Sequence, residues 1–185
     1  RSLARNSFAY CMGGMMKKIL FIGEAPFSFT RFGIIIRELT HRFSSRGYDI
    51  AAMGFNYSGW PVKDNSINYK IYPWVGPPNR PYNAMDVLKE FKPEILLLIG
   101  APALFTWVKD LPKAMRKKFH VVLHTGFKSA PFGKLMKEVY SFSDTIITNT
   151  QYESDIIAGE IPRKNIVRVN PGIDISNLRA ELNAG

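Results

Sequence analysis

The sequence predicts an α/β fold, a doubly wound and mainly parallel sheet with helices on both faces. Three observations carry this expectation. Strand-like and helix-like segments alternate along the chain. Several strand segments are continuously apolar, residues 95–99 most clearly, as a strand covered on both faces requires. The segments between them carry apolar residues at helical spacing, as Ile34, Ile35, Leu39 and Phe43 do. A rhythm of this kind builds a parallel sheet from βαβ units.

The elements follow in order. Residues 17–23 are a short apolar run and form the first strand. Residues 33–46 form the first helix, with Arg37, Glu38 and Arg42 off its apolar face and Gly47 as its stop signal. Residues 48–53 give a second strand. Residues 67–72 give a third, half exposed, because Ile67, Tyr69 and Ile71 alternate with polar neighbours. The stretch 72–82, rich in Pro, Gly and Trp, is a loop. A short helix over 82–91 ends at Lys92-Pro93, since a residue before proline avoids helical geometry. A buried strand over 94–99 leads into a helical region broken at Pro112. Strands over 120–123, 144–148 and 166–169 alternate with helices over 132–141 and 150–158. Thr150 and Glu153 have the spacing of a capping box.

The chain has 185 residues, enough for one domain with a full core. No apolar run approaches the length that spans a bilayer. Cys11 is the single cysteine, which excludes an internal disulfide and a multi-cysteine metal site. A reducing, cytoplasmic setting follows from that usage. Residues 1–14 mix Arg, Ser, Asn and Gly without periodicity and read as a tag or disordered extension ahead of Met15.

The net charge of +10 favours an anionic partner or serves solubility alone. The basic residues cluster. From Lys109 to Lys137, Lys109, Lys113, Arg116, Lys117, Lys118, Lys128, Lys134 and Lys137 stand against Asp110 alone, with Phe105, Trp107, Phe127 and Phe132 interleaved. Basic and aromatic residues on amphipathic helices suit an anionic membrane surface, with Lys113, Arg116, Lys117, Lys118 and Trp107 as its centre. A nucleic-acid backbone is the other reading of the same charge, but no RRM, KH or helix-turn-helix signature accompanies it. The plain reading is a solvated helix face whose apolar residues pack on the sheet.

Candidate site residues stand where apolar strands run into polar ends, because ligands of open α/β sheets sit there. His124-Thr125 follows one such strand and Asn149-Thr150 another. His124 can exchange a proton near neutral pH, or can be a hydrogen-bonded core histidine. The loop after the first strand lacks the glycine triplet of a dinucleotide site. Thr30, Arg31 and Gly33 can still present hydroxyl, guanidinium and backbone N–H groups to a phosphate, or can simply cap the helix. There is no H-E-x-x-H and no G-x-S-x-G, which argues against a zincin and an α/β-hydrolase. The absence of D-x-D argues against a metal-dependent sugar transferase.

Four matches in order resemble the N-terminal domain of family 4 glycosyltransferases. They are Arg37-Glu38-Leu39 with Arg46-Gly47-Tyr48-Asp49-Ile50, His124-Thr125, Thr148-Asn149-Thr150 with Tyr152-Glu153, and Ile166 to Asp174. The resemblance covers residues 15–178 and implies the Rossmann-like N-terminal half of a GT-B fold, with 179–185 as the start of an interdomain linker. It implies the acceptor-binding half of a retaining enzyme that moves a hexose from a nucleotide sugar to an acceptor hydroxyl, without metal or other cofactor. His124 would be catalytic, and Thr30, Arg31, Gly33, Thr125, Asn149 and Thr150 would bind substrate. The expected partners are a nucleotide-sugar donor, held mostly by a second domain, and a soluble or lipid-linked acceptor sugar. A lipid-linked acceptor would place the protein on the inner face of the membrane. The family's first loop commonly has a glycine pair, and here only Gly33 stands there. A chain without the donor domain is expected to be inactive alone.

Overall fold

The computed structural model describes residues 17–126, 131–162, 164–170 and 172. The extension 1–14, Phe127, Lys128, Pro171, Ile173, Asp174 and the linker 179–185 lie outside them. The described residues form one sheet, with strands β1 (Lys18–Glu24), β2 (Asp49–Phe55), β3 (Lys70–Pro73), β4 (Ile95–Ile99), β5 (His120–His124), β6 (Thr145–Thr148) and β7 (Asn165–Arg168). Every pairing is parallel, in the order β3-β2-β1-β4-β5-β6-β7. The α/β, doubly wound, parallel architecture expected from the sequence is therefore the one formed.

The helices are α1 (Arg31–Ser44), α2 (Ala84–Phe91), α3 (Lys113–Arg116), α4 (Lys134–Phe142) and α5 (Gln151–Glu160), with a 3-10 helix over Pro102–Asp110. Helix α1 packs on one face of the sheet, where Ile36 meets Ile19, Phe21, Ile50, Ala52, Leu97 and Ile99. The other face buries Leu20, Ile22, Met53, Leu96, Leu98, Leu123 and Ile146 beneath residues of α2, the 3-10 helix, α4 and α5. Alternate residues of β1 and β4 thus enter different core layers, which is why these strands read as unbroken apolar runs.

Local signals set the element ends. Thr30 caps α1 by accepting from Gly33 N–H at 3.1 Å. Thr150 and Glu153 form the expected capping box at α5. Lys92 ends α2 in the left-handed conformation, φ 54°, directly before Pro93. Pro112 separates the 3-10 helix from α3. The third strand begins at Lys70 rather than at Ile67. Ile67 instead closes a turn, its N–H donating to Asp64 O.

Candidate active site

All seven strands run the same way, so their carboxyl ends share one edge of the sheet. The chain leaves β1 toward β2 on one side, and β4 lies on the other, which opens the crevice at that edge. The loop from Ala25 to Thr30 is folded tightly over it. A Cβ on Gly54 would meet Ala25 Cα at 2.7 Å, and one on Gly33 would meet Ser28 O at 2.5 Å. Both positions need glycine because backbone passes where a side chain would stand.

His124 ends β5 and is 8% exposed, on the α1 side of the sheet. Its Nε2 lies 3.2 Å from Asn149 Oδ1, in the turn between β6 and α5. Burial pushes the imidazole below the ordinary histidine value; the Asn149 hydrogen bond opposes this, the Arg31 charge adds to it, and Glu153 opposes it. The neutral ring therefore dominates at neutral pH. With its proton on Nε2 it donates to Asn149 and leaves Nδ1 as an acceptor. Arg31 is exposed at the start of α1, and its Nη1 lies 4.0 Å from where a Cβ of Gly126 would be. Arg31, His124 and Asn149 thus come together at one end of the sheet.

The other expected site residues have different work. Thr30 Oγ1 accepts from the Gly33 N–H as the cap of α1, which engages that N–H in the fold and leaves the Thr30 hydroxyl its own proton to donate. Thr125 is 4% exposed and its Oγ1 pairs with Tyr140 Oη at 2.8 Å inside the core. Thr150 Oγ1 accepts from Glu153 N–H, and Glu153 Oε2 accepts from the N–H groups of Asn149 and Thr150. Glu153 therefore fixes the backbone that carries Asn149; the capping-box spacing and the family-4 match at Tyr152-Glu153 were its sequence signals.

The basic cluster is corrected more deeply. Trp107 is 7% exposed, Phe105 0% and Phe132 5%, so these three aromatics are core and not a membrane-facing surface. Apolar burial against the sheet wins over exposure for rings of this size. Arg116 is a brace: it donates to Phe119 O, Phe142 O and Asp144 Oδ2, and Asp144 Oδ2 also accepts from Val121 N–H. Lys113, Lys117 and Lys118 remain exposed. Lys117 and Lys118 line a cavity of about 630 Å³ with His120 and Glu94, at the amino ends of β4 and β5 and so on the edge opposite His124. Among the described residues no group of His, Cys, Asp and Glu is placed to hold a metal, and no helix is long and apolar enough to cross a membrane.

The fold has relatives of known structure. Sucrose-phosphate synthase from Thermosynechococcus elongatus aligns at 10% identity and a TM-score of 0.57, over 91% of this chain and 96% of that one. An alpha-glucosyltransferase in complex with UDP and a 13-mer DNA containing a HMU base aligns at 12% identity and a TM-score of 0.52. That match covers 90% of this chain and 45% of the other, so the chain spans under half of that protein. No curated protein matches the sequence. The sequence profile of Glycosyltransferase Family 4 matches residues 33–177, from the glycine beneath the first loop through both polar strand ends, and its GT-B relatives share the parallel sheet. With Arg31, His124 and Asn149 assembled on the sheet edge where such folds hold ligands, the chain belongs to glycosyltransferase family 4, as an N-terminal domain of the GT-B fold.

Proposed function

We propose that this chain is the acceptor-binding half of a retaining glycosyltransferase that moves a hexose from a nucleotide sugar to an acceptor hydroxyl. The observation that carries the reading is the buried, neutral His124 held by Asn149 at the carboxyl end of β5. A neutral imidazole with a fixed ring plane can accept a hydrogen bond from a hydroxyl of the transferring sugar. It does so without placing a full positive charge beside a sugar that itself becomes cationic in the transition state. Arg31, exposed beside Gly126, supplies positive charge for the donor's phosphates.

A second, donor-binding domain completes the site in this reading. It would stabilise the leaving nucleotide's charge, the larger catalytic contribution. The chain's span of 45% of the UDP-bound alpha-glucosyltransferase fits that division. The basic amino edge bears on the acceptor. An anionic surface held by Lys117 and Lys118 would lie on the side of the sheet away from His124, so membrane docking there does not deliver a lipid-linked acceptor to the crevice. The placement favours a soluble acceptor.

The test is a transfer assay with labelled nucleotide hexoses. This chain alone should give no product, because proximity contributes only when both reactants are held. Joined to a donor-binding domain it should give product with the donor's anomeric configuration, read by NMR. Robust transfer by the chain alone, or an inverted product, would overturn the proposal.

A further inference from the structure

A second surface at the carboxyl edge is unused by the chemistry above. Phe27, from the loop after β1, meets Tyr57 and Trp60, from the loop after β2. The ring centroids are 5.4 Å apart for Phe27 and Tyr57, 6.1 Å for Phe27 and Trp60, and 5.1 Å for Tyr57 and Trp60. Tyr57 is 8% exposed and Trp60 47%. The Tyr57 hydroxyl donates to Trp60 O at 2.9 Å, which ties the loop to its own aromatic floor. The close approach of Ala25 to Gly54 holds the Phe27 loop against the end of β2. The rings are therefore preorganised, with Trp60 as the accessible face.

At the strand end that leads into the Phe27 loop, Glu24 closes β1 three residues before Phe27. Its Oε2 is buried and has no hydrogen-bond partner among the described residues. A buried acceptor without a donor costs free energy unless a ligand supplies one.

We propose that this surface docks an oligosaccharide acceptor, with one sugar ring on Trp60, a hydroxyl donated to Glu24, and the reacting end directed toward His124. The inference rests on the glycosyl-transfer reading and names the class of acceptor. A pyranose combines what the surface asks for, an apolar C–H face for the rings and hydroxyl donors for the carboxylate. A nucleic-acid strand would also stack on aromatics and would meet Arg31 at this edge, but the Glu24 carboxylate repels phosphate and the exposed Lys117 and Lys118 lie on the opposite edge, so an oligonucleotide is the competing outcome of the test. The distance sets the size. From β2 to β5 there are three strand spacings, about 14 Å in all. That is longer than a single sugar ring, so the acceptor has more than one unit.

The experiment uses the purified chain on an array of linear and branched oligosaccharides of several lengths, with monosaccharides and a single-stranded oligonucleotide alongside. Trp74 and Trp107 are 8% and 7% exposed, so quenching by acrylamide reports Trp60 alone of the three tryptophans. Oligosaccharides should bind and protect Trp60 from the quencher, and monosaccharides should not. Trp60→Ala should weaken binding about tenfold, as loss of an aromatic contact does. Trp60→Phe should recover part of it, and Glu24→Gln should weaken it while the melting temperature stays within a few degrees. Binding that survives Trp60→Ala would place the sugar elsewhere, ending this proposal while leaving glycan recognition standing. An array with no bound sugar, or an oligonucleotide whose binding depends on Trp60, would overturn it outright.

Discussion

His124 Nε2 and Asn149 Oδ1 stand 3.2 Å apart, joining the end of β5 to the turn that starts α5. The pair fixes the imidazole plane, and Glu153 in turn fixes the backbone N–H groups of Asn149 and Thr150. In an enzyme carrying both domains, His124→Ala should lower turnover by about 10²–10³, the effect of losing one positioned polar contact. Asn149→Ala should lower it less, because the imidazole remains but loses its anchor. Equal and full activity in both variants would demote His124 to a core residue.

The same burial makes stability depend on pH. The folded pKa of His124 lies below its unfolded value, about 6.5. Above that value the ring is neutral in both states and its contribution is fully present. As pH falls below it, the unfolded chain takes up a proton that the folded one resists, and stability is lost until the folded pKa is passed. The melting temperature should fall as the pH drops below about 6.5, and His124→Gln should flatten that slope. An unchanged slope in the variant would place the proton uptake elsewhere.

Arg116 should behave as part of the fold and not as part of a charged surface. Its guanidinium holds two backbone carbonyls and the carboxylate that also accepts from Val121 N–H. Arg116→Gln should cost about 2 kcal/mol, from hydrogen bonds to charged and partly buried groups. Lys117→Gln should leave the denaturation midpoint within error. Equal effects would show that the Arg116 contacts contribute nothing beyond an exposed side chain.

Gly54→Ala tests the clamp on the first loop. The added Cβ would lie 2.7 Å from Ala25 Cα and 3.1 Å from Ala25 N, so backbone has to move. The cost should be about 1–3 kcal/mol. The shift should also disturb Phe27 against Trp60 and change the tryptophan emission. Gly159→Ala, where a Cβ meets nothing within 4 Å, is the control and should not destabilise.

Much of the fold was legible because the strands are covered on both faces. Residues 95–99 and 120–123 read as strands since both core layers require apolar side chains there. Pro93 and Pro112 marked breaks for reasons local to the backbone. The site was legible only in part. His124 and Asn149 stood out as polar residues at strand ends, but which threonines were already spent on caps and core depends on geometry three-dimensional in origin. Thr30 and Thr150 pair three residues away, whereas Thr125 pairs with Tyr140 fifteen residues on. The aromatics between the basic residues gave no sign of their burial, because a buried stripe and a membrane-facing stripe share one periodicity. The Phe27, Tyr57 and Trp60 contact was invisible for another reason: it joins two loops with no periodic pattern.

The charge that remains exposed makes its own prediction. Lys17, Arg46, Lys92, Lys117 and Lys118 lie near the amino ends of β1, β2, β4 and β5, exposed and without ion-pair partners among the described residues. Each such residue near an anionic surface contributes about 1 kcal/mol. The chain should therefore sediment with phosphatidylserine-containing vesicles at low salt and not with neutral ones. Because Phe105, Trp107 and Phe132 are buried, the described aromatics of the basic cluster offer no apolar insertion, and the association should vanish at high salt. Lys117→Glu with Lys118→Glu should weaken it without changing the melting temperature, since neither side chain braces the fold. Sedimentation that persists at high salt would require an apolar anchor elsewhere. A wild-type chain left in the supernatant at low salt would make this edge a solvated face, with its charge serving solubility.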